Sequence, residues 1–116
     1  MRIFDCTTFY SEHLMMDIRF NVLNDFVEKF IVCESTFSHS GKKKKLNFDI
    51  NNYPKFKDKI SYIVIDEEPP NIIGNKNGLA KPFEKRSDSL KRIELSYDYM
   101  IKALSDVNDD DLIILS

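Results

Sequence analysis

Phe30-Ile31-Val32-Cys33 is an uninterrupted run of four apolar residues, closed by Glu34-Ser35. Runs of this kind are typical of strands buried on both faces of a parallel sheet. Similar β-branched and apolar runs lie before and after it, and the last of them, Leu112–Leu115, precedes Ser116. We therefore predict four strands, near residues 2–9, 29–34, 60–65 and 111–116.

Between these runs the hydrophobic period changes to that of a helix. A first helix is predicted near 12–26, with Ser11 placed to cap it and Glu12 in its first turn, where the helix dipole favours an anion. Its apolar stripe consists of Leu14, Met15, Ile18, Val22, Leu23 and Phe26. A second amphipathic helix is predicted near 87–105, with an apolar face made of Leu90, Ile93, Tyr97, Met100, Ile101 and Leu104.

Residues 38–45, with one glycine and four consecutive lysines, form a predicted loop. Residues 46–59 are expected to hold a short irregular helix, and 71–85 a long surface loop. The resulting order β-α-β-loop-β-α-β is typical of a parallel α/β sheet. Such sheets bind ligands beyond the carboxyl ends of their strands. Because the fourth strand comes last, we expect residues 1–116 to be an incomplete domain.

Composition excludes several classes of protein. The chain has 116 residues, of which 42% are hydrophobic and 31% charged, with a net charge of −2. This balance argues against a disordered tail and against a nucleic-acid binder that works by net charge. No apolar run is long enough to span a membrane, and the first residues are too polar for a signal peptide, so we expect a cytoplasmic protein. Cys6 and Cys33 are expected to be reduced, buried hydrophobes.

Polar residues follow three of the predicted strands: Glu12, Glu34-Ser35 and Asp66-Glu67-Glu68. Substrate-binding groups lie at such positions, although acidic residues also occur there simply because strand ends meet solvent. Arg19 is either the buried partner of a carboxylate such as Glu34 or a surface side chain, and its spacing favours the surface. Lys42–Lys45 can bind a phosphate, but lysine runs are more often just solvated.

Three sequence patterns together carry a resemblance to a known family. They have the form Y-D-C-F-x-F-F-N-E-x-x-x-L-x-I-R-L, V-x-x-F-V-x-V-E-S and T-x-S-G-K-x-K-P, and they align with residues 2–48. The matching positions are Asp5, Cys6, Phe9, Glu12, Ile18, Arg19, Glu34, Ser35, Ser40, Gly41 and Lys44. Residues 106–116 are similar to a strand that leads into an acidic D-x-D-E motif. In these features the chain resembles glycosyltransferase family 17.

The chain departs from the family pattern at several positions. It contains no tryptophan, Ser96-Tyr97 stand about where the family has Gln-Arg, and Lys45 replaces the usual proline. These differences concern the acceptor and the exact sugar more than the fold.

The resemblance implies a GT-A-like (Rossmann-like), mostly parallel sheet with flanking helices. It implies transfer of N-acetylglucosamine, or a related sugar, from a UDP-sugar donor to a glycan acceptor, with a catalytic base that these residues do not identify. The donor-binding residues it implies are Asp5, Phe9, Glu12, Arg19, Glu34, Ser35, Gly41 and Lys44. The alternative is a non-catalytic nucleotide- or sugar-binding α/β module, or a truncated remnant.

The family further implies a divalent cation, Mn²⁺ or Mg²⁺, held by the D-x-D-E motif. That motif would begin immediately after Ser116, so we expect residues 1–116, as the N-terminal portion of one glycosyltransferase domain, to be inactive alone. We also expect residues 38–45 to be a mobile surface element that orders over the donor or acceptor. Four adjacent ammonium groups repel one another, and Gly41 adds backbone freedom. The alternative for this segment is a permanently solvated turn.

Overall fold

The computed structural model describes residues 1–73 and 81–116. Its strands are β1 (Ile3–Phe9), β2 (Lys29–Ser35), β3 (Ile60–Ile65) and β4 (Leu112–Leu115). Its helices are α1 (His13–Leu23) and α2 (Pro82–Ala103), and two short 3₁₀ turns, Ile50–Asn52 and Lys57–Lys59, precede β3. The four predicted strands and the two predicted helices are therefore confirmed, and the irregular helix expected within 46–59 corresponds to the two 3₁₀ turns.

The second helix begins earlier than its apolar period indicates. Part of the predicted loop 71–85 lies outside the described residues, but 82–85 form the first turn of α2, so that part of the prediction is wrong. Pro82 occupies the first helical turn, where its fixed φ and missing N–H favour helix initiation. The Glu84 carboxylate accepts a 3.1 Å hydrogen bond from the backbone N–H of Lys81, which closes the start of the helix.

The sheet has the order β3-β2-β1-β4, and each neighbouring pair is parallel. The chain moves outward from β1 to β3 and then returns through α2 to place β4 on the other side of β1. This reversal beside the first strand is the topology of Rossmann-like sheets, and the predicted α/β class is confirmed. None of the helices in the described part of the chain is long and apolar enough to cross a membrane.

Each face of the sheet carries its own core. On the α1 face the ring of Phe20 lies 4.8 Å from that of Phe30 and 4.9 Å from that of Tyr53, and Phe56 completes the cluster at 5.6 Å. On the α2 face the buried residues are Phe4, Cys6, Ile31, Cys33, Ile65, Met100 and Leu104. Both cysteines are free and buried, as expected. Burial raises the pKa of the Cys6 thiol to about 11 and that of Cys33 to about 12.

The faces with which the helices pack coincide only in part with the apolar stripes of the sequence. Met100 and Leu104 of the second stripe are buried in the core, and Leu23 of the first stripe packs against it. Met16 and Phe20 are the buried residues of α1, whereas Ile18 is 48% exposed and Leu14 72% exposed. The aromatic cluster around Phe20 and a salt bridge from Arg19 fix this rotation of the helix. The residues of α2 that are buried are Asp88, Arg92, Ser96 and Met100, while Leu90 and Ile101 are exposed.

Candidate functional site

A cavity of about 650 Å³ lies at the carboxyl ends of β1 and β2. This is the edge of the sheet at which parallel α/β proteins bind their ligands. Its lining comes from the ends of β1 and β2, from the segment that follows each of these strands, and from α2. Its lining residues are Thr8, Phe9, Tyr10, Glu12, Cys33, Ser35, Phe37, Ser38, His39, Ser40, Lys42, Lys43, Lys44, Arg92 and Ser96.

Residues 37–44 form a tight antiparallel turn, which we call the lysine hairpin. Phe37 and Lys43 pair across it as an isolated β-bridge. The N–H of Ser38 donates to the carbonyl of Lys42 at 2.9 Å, and that of Gly41 donates to the carbonyl of Ser38 at 2.9 Å. Gly41 has a φ of +89°, which a residue with a side chain rarely adopts. The hairpin thus has a defined shape, set by its own backbone hydrogen bonds.

The inner end of the lysine hairpin is tied to β2 through Glu34. The buried Glu34 carboxylate accepts hydrogen bonds from Lys44 Nζ at 2.6 Å and from the Tyr62 hydroxyl at 2.7 Å. It also accepts from the backbone N–H groups of Asn47, at 2.7 Å, and Phe48, at 3.0 Å. Both carboxylate oxygens therefore already have partners within the chain. This side chain supports the pocket wall and leaves little capacity for a ligand.

The hydrogen bonds also determine how Glu34 titrates. Burial alone would raise the pKa of this carboxyl, but the bonds from Lys44, the backbone and Tyr62 outweigh it and hold the pKa below its usual range. Burial and the same carboxylate raise the pKa of Tyr62. Glu34 is thus held as a carboxylate, and Tyr62 as its neutral hydrogen-bond donor.

The outer end of the lysine hairpin is tied to α2 through Arg92. The Arg92 guanidinium donates to the two carboxylate oxygens of Glu68, at 2.8 and 3.2 Å, and to the backbone carbonyl of His39 at 2.8 Å. The hydroxyl of Ser89 donates to the same His39 carbonyl at 2.8 Å. The turn of the hairpin is therefore fastened at both ends.

Two cations of the hairpin remain available to a ligand. Lys42 and Lys43 both line the cavity and are exposed. Among the described residues neither ammonium group has a carboxylate partner, although that of Lys43 lies 4.8 Å from the centre of the Phe37 ring. Lys44 differs from them, because its side chain is 9% exposed and paired with Glu34. Within the described residues the cavity lining thus contains two cations without a carboxylate partner, Lys42 and Lys43, whereas Lys44 is paired with Glu34 and Arg92 with Glu68.

Glu12 also lines the cavity. It is the residue before α1, and its carboxylate accepts from the backbone N–H groups of Tyr10, at 2.8 Å, and Ser11, at 3.1 Å. The predicted capping role of Ser11 is therefore wrong, and Glu12 precedes the first turn of α1 instead of belonging to it. A carboxylate that turns back to its own loop fixes the rim of the cavity.

The predicted site residues divide into three groups. Phe9, Glu12, Ser35 and Lys44 line the cavity. Glu34 and Gly41 lie behind the wall, within the anchors of the lysine hairpin. Asp5 and Arg19 do not line the cavity and pair with each other instead.

Arg19 is the partner of a carboxylate, which was one of the two alternatives taken from the sequence, but that carboxylate belongs to Asp5 and not to Glu34. Its guanidinium makes a bidentate salt bridge to the buried Asp5, with Nε 2.7 Å from Oδ2, on the α1 face of the sheet. The Arg19 side chain is 23% exposed, so it is not a surface arginine, and Glu34 pairs with Lys44 instead. The hydrogen bond to Asp5 raises the pKa of Arg19.

Arg92 of α2, Tyr10 and His39 are cavity residues that the sequence alone did not single out. A signal was present in α2. Asp88, Arg92 and Ser96 recur every four residues and continue into the buried Met100, so they share one helix face. A polar row in phase with a core residue indicates a buried polar face.

The described residues do not supply a metal site. Within residues 1–73 and 81–116 no group of three or more His, Cys, Asp or Glu side chains converges. In the cavity lining the ligating side chains of these types are Glu12, His39 and the buried Cys33, and the Glu12 carboxylate is already bonded to its own loop. We therefore derive no chemical step through a cation from this chain.

The family model for glycosyltransferase family 17 matches residues 1–116. Rat and human proteins named beta-1,4-mannosyl-glycoprotein 4-beta-N-acetylglucosaminyltransferase are each 27% identical over 118 residues, and their mouse counterpart is 26% identical. The alignments cover 98% of this chain but 20% of each relative, so the chain spans about a fifth of their length.

No solved structure matches the chain significantly. The family match covers every residue of the chain, including each strand that builds the cavity edge. The protein therefore belongs to glycosyltransferase family 17.

Proposed function

We propose that the cavity binds the nucleotide-sugar donor of a glycosyl-transfer reaction, with UDP-N-acetylglucosamine as the leading candidate and a glycan as acceptor. Family membership supports glycosyl transfer. The names of the rat, human and mouse relatives support N-acetylglucosamine as the sugar. The single observation that carries the proposal is that Lys42 and Lys43, which have no carboxylate partner among the described residues, line a cavity at the carboxyl edge of a parallel sheet.

A nucleoside diphosphate matches the chemistry of this cavity. Its diphosphate is anionic, and two ammonium groups on one wall attract it more strongly inside a concave surface than in bulk water. The volume of about 650 Å³ falls within the range of small-molecule sites. Tyr10 and Phe37 add aromatic surface to the lining, which suits a flat base or a sugar ring.

We propose that these 116 residues bind the donor without transferring its sugar. The divalent cation implied by the family would require the D-x-D-E motif, which residues 1–116 do not contain. The end of β4 nevertheless lies beside the cavity, because the N–H of Thr8 donates to the carbonyl of Ser116 at 3.5 Å. A non-catalytic nucleotide- or sugar-binding module is the alternative.

Calorimetric titration of the protein with UDP-N-acetylglucosamine, UDP, uridine and N-acetylglucosamine tests the proposal. We expect UDP and the UDP-sugar to bind and uridine to bind at least about tenfold more weakly, because the phosphates meet the lysines. Radiolabelled sugar transfer by the same protein, with Mn²⁺ or Mg²⁺ added, tests whether these residues also transfer the sugar. Binding without turnover is expected for residues 1–116, and absence of saturable UDP binding would contradict the proposal.

A further inference from the structure

Resting on the proposed function, we propose that Arg92 and Glu68 together form a positioning device for the lysine hairpin. Their ion pair holds the backbone turn so that Lys42 and Lys43 face the cavity, and it thereby sets the affinity for a diphosphate. Neither the family match nor the names of the relatives assigns a role to these two residues. The proposal rests on three features of the structure: the acidic run after β3, the burial of Arg92 and the packing of Gly41.

The acidic run after β3 is engaged by the chain itself. Asp66 accepts a hydrogen bond from the Thr36 hydroxyl at 2.7 Å, and Glu67 accepts one from the Tyr99 hydroxyl. Glu68 accepts two from Arg92. Each of the three carboxylates therefore has a structural partner. Of the three, Glu68 is the one whose partner binds the turn of the lysine hairpin, at the His39 carbonyl.

Arg92 occupies the junction between α2 and the hairpin. Its side chain is 7% exposed, and that of Glu68 is 24% exposed. Nε and Nη2 bind Glu68, while Nη1 reaches the His39 carbonyl, so one planar group joins three segments of the chain. A bidentate arginine–carboxylate pair fixes direction as well as distance. Loss of Glu68 would leave the buried guanidinium free to move away from the hairpin.

Gly41 shows how closely the hairpin fits against this guanidinium. A Cβ added at position 41 would lie 2.5 Å from Arg92 Nη2 and 3.0 Å from its Cζ. The turn and the guanidinium are thus in direct contact, and no side chain fits between them. The positive φ of Gly41 also places the backbone in a conformation that a substitution would strain.

The two anchors of the hairpin hold the intervening lysines. Lys44 is fixed to Glu34 on the strand side, and the His39 carbonyl is fixed to Arg92 on the helix side. Lys42 and Lys43 stand between these points with no carboxylate partner among the described residues. A receptor that is ordered before its ligand arrives loses less conformational entropy on binding. The ion pair of Arg92 with Glu68 therefore contributes to the affinity for an anion, and it does so by holding the lysines in place.

Substitution of Glu68 separates this account from simple electrostatics. Glu68→Ala removes a negative charge near an anion site, so charge alone predicts tighter binding of inorganic pyrophosphate. If Arg92 were merely a direct phosphate ligand, releasing it from Glu68 would likewise preserve or strengthen binding. The positioning account predicts the opposite sign, with an affinity about fivefold weaker, because the turn loses its anchor. Glu67→Ala is the matched control, since it removes the same charge from the same run without touching the hairpin.

Calorimetric titration with pyrophosphate and with UDP-N-acetylglucosamine, on folded wild type, Glu68→Ala, Arg92→Ala and Glu67→Ala, provides the test. Weaker pyrophosphate binding in both anchor variants, with Glu67→Ala unchanged or tighter, supports the proposal. Unchanged or tighter binding in folded Glu68→Ala overturns it. Gly41→Ala supplies a second route if an anchor variant does not fold, because it displaces Arg92 without removing any charge; full affinity in that variant also overturns the proposal.

The two probes keep this proposal distinct from the proposed function. Pyrophosphate binding that depends on Glu68, with no additional affinity for the UDP-sugar, would retain the positioning device and contradict the donor. UDP-sugar binding at wild-type strength in Glu68→Ala would retain the donor and contradict the positioning device. If neither pyrophosphate nor the UDP-sugar binds to the wild type, both proposals are contradicted.

Discussion

The ammonium group of Lys44 lies 2.6 Å from the carboxylate of Glu34, and both side chains are withdrawn from solvent. This ion pair joins the lysine hairpin to the central part of the sheet. It also explains why Lys44 is withdrawn from solvent while Lys42, Lys43 and Lys45 of the same run are exposed. The inner wall of the cavity depends on this contact.

Glu34→Ala is expected to destabilise the protein by about 3–5 kcal/mol, because it removes four hydrogen bonds and leaves a buried ammonium group without its partner. Urea unfolding measures the change. Glu94→Ala, an exposed carboxylate on α2, is the control and is expected to change stability by less than about 0.5 kcal/mol. Similar values for the two variants would show that Glu34 does not support the wall.

The pair Phe20 and Val22 tests the rotation of α1. Phe20 is fully buried and Val22 is 62% exposed, although both belong to the same helix. Phe20→Ala is expected to cost about 3–5 kcal/mol, and Val22→Ala less than about 0.5 kcal/mol. Thermal or urea unfolding checks the difference. A larger loss at Val22 would mean that the apolar stripe of the sequence faces the sheet after all.

The rotation of α1 shows where prediction from sequence ends. Strand and helix positions follow from local period, and the location of the cavity follows from parallel topology. The packing face of α1 does not, because Leu14, Met15, Ile18 and Val22 form a stronger apolar stripe than the pair Met16 and Phe20 that actually packs. Tertiary contacts determine which face of α1 packs on the sheet, because the ring of Phe20 packs against those of Phe30, Tyr53 and Phe56.

The candidate site was predictable to a similar extent. Phe9, Glu12, Ser35 and Lys44 were identified by resemblance and do line the cavity. The partners of the charged residues were not predictable, because Arg92 and Glu68 are separated by 24 positions and Arg19 and Asp5 by 14. Spacing within one helix or strand carries no information about which distant carboxylate an arginine meets.

Asp111 is expected to make the stability of the folded protein fall at acidic pH. Its carboxylate joins the start of β4 to the beginning of the chain. Hydrogen bonds from the backbone N–H groups of Asn108 and Arg2, and from the Arg2 side chain, lower the pKa of Asp111 to about 2. Between about pH 4 and pH 2 the unfolded chain binds a proton at this residue that the folded chain does not. Its contribution to stability is therefore present above that window and is lost as the pH falls through it.

Asp111→Asn should flatten the fall in stability between about pH 4 and pH 2. Urea midpoints at a series of acidic pH values, compared with those of the exposed neighbour Asp109→Asn, measure the effect. An Asp111→Asn profile as steep as that of the wild type would contradict the assignment.

The two cysteines are expected to be chemically inert in the folded protein. Burial raises the pKa of Cys6 to about 11 and that of Cys33 to about 12, so the reactive thiolate is scarce near neutral pH. Iodoacetamide labelling, followed by mass spectrometry, should be slow under native conditions and fast in denaturant. Rapid labelling of the folded protein would show that these strands open readily.

The binding of UDP-N-acetylglucosamine to a Lys42→Ser/Lys43→Ser variant tests the central claim most directly, since the account places the donor diphosphate on these two side chains. Lys45→Ser is the matched control, because Lys45 belongs to the same lysine run but does not line the cavity. We predict a dissociation constant about tenfold or more weaker for the double variant, with a reduced dependence on salt, and a change below about twofold for Lys45→Ser. An unchanged dissociation constant with unchanged salt dependence in the double variant would contradict the account.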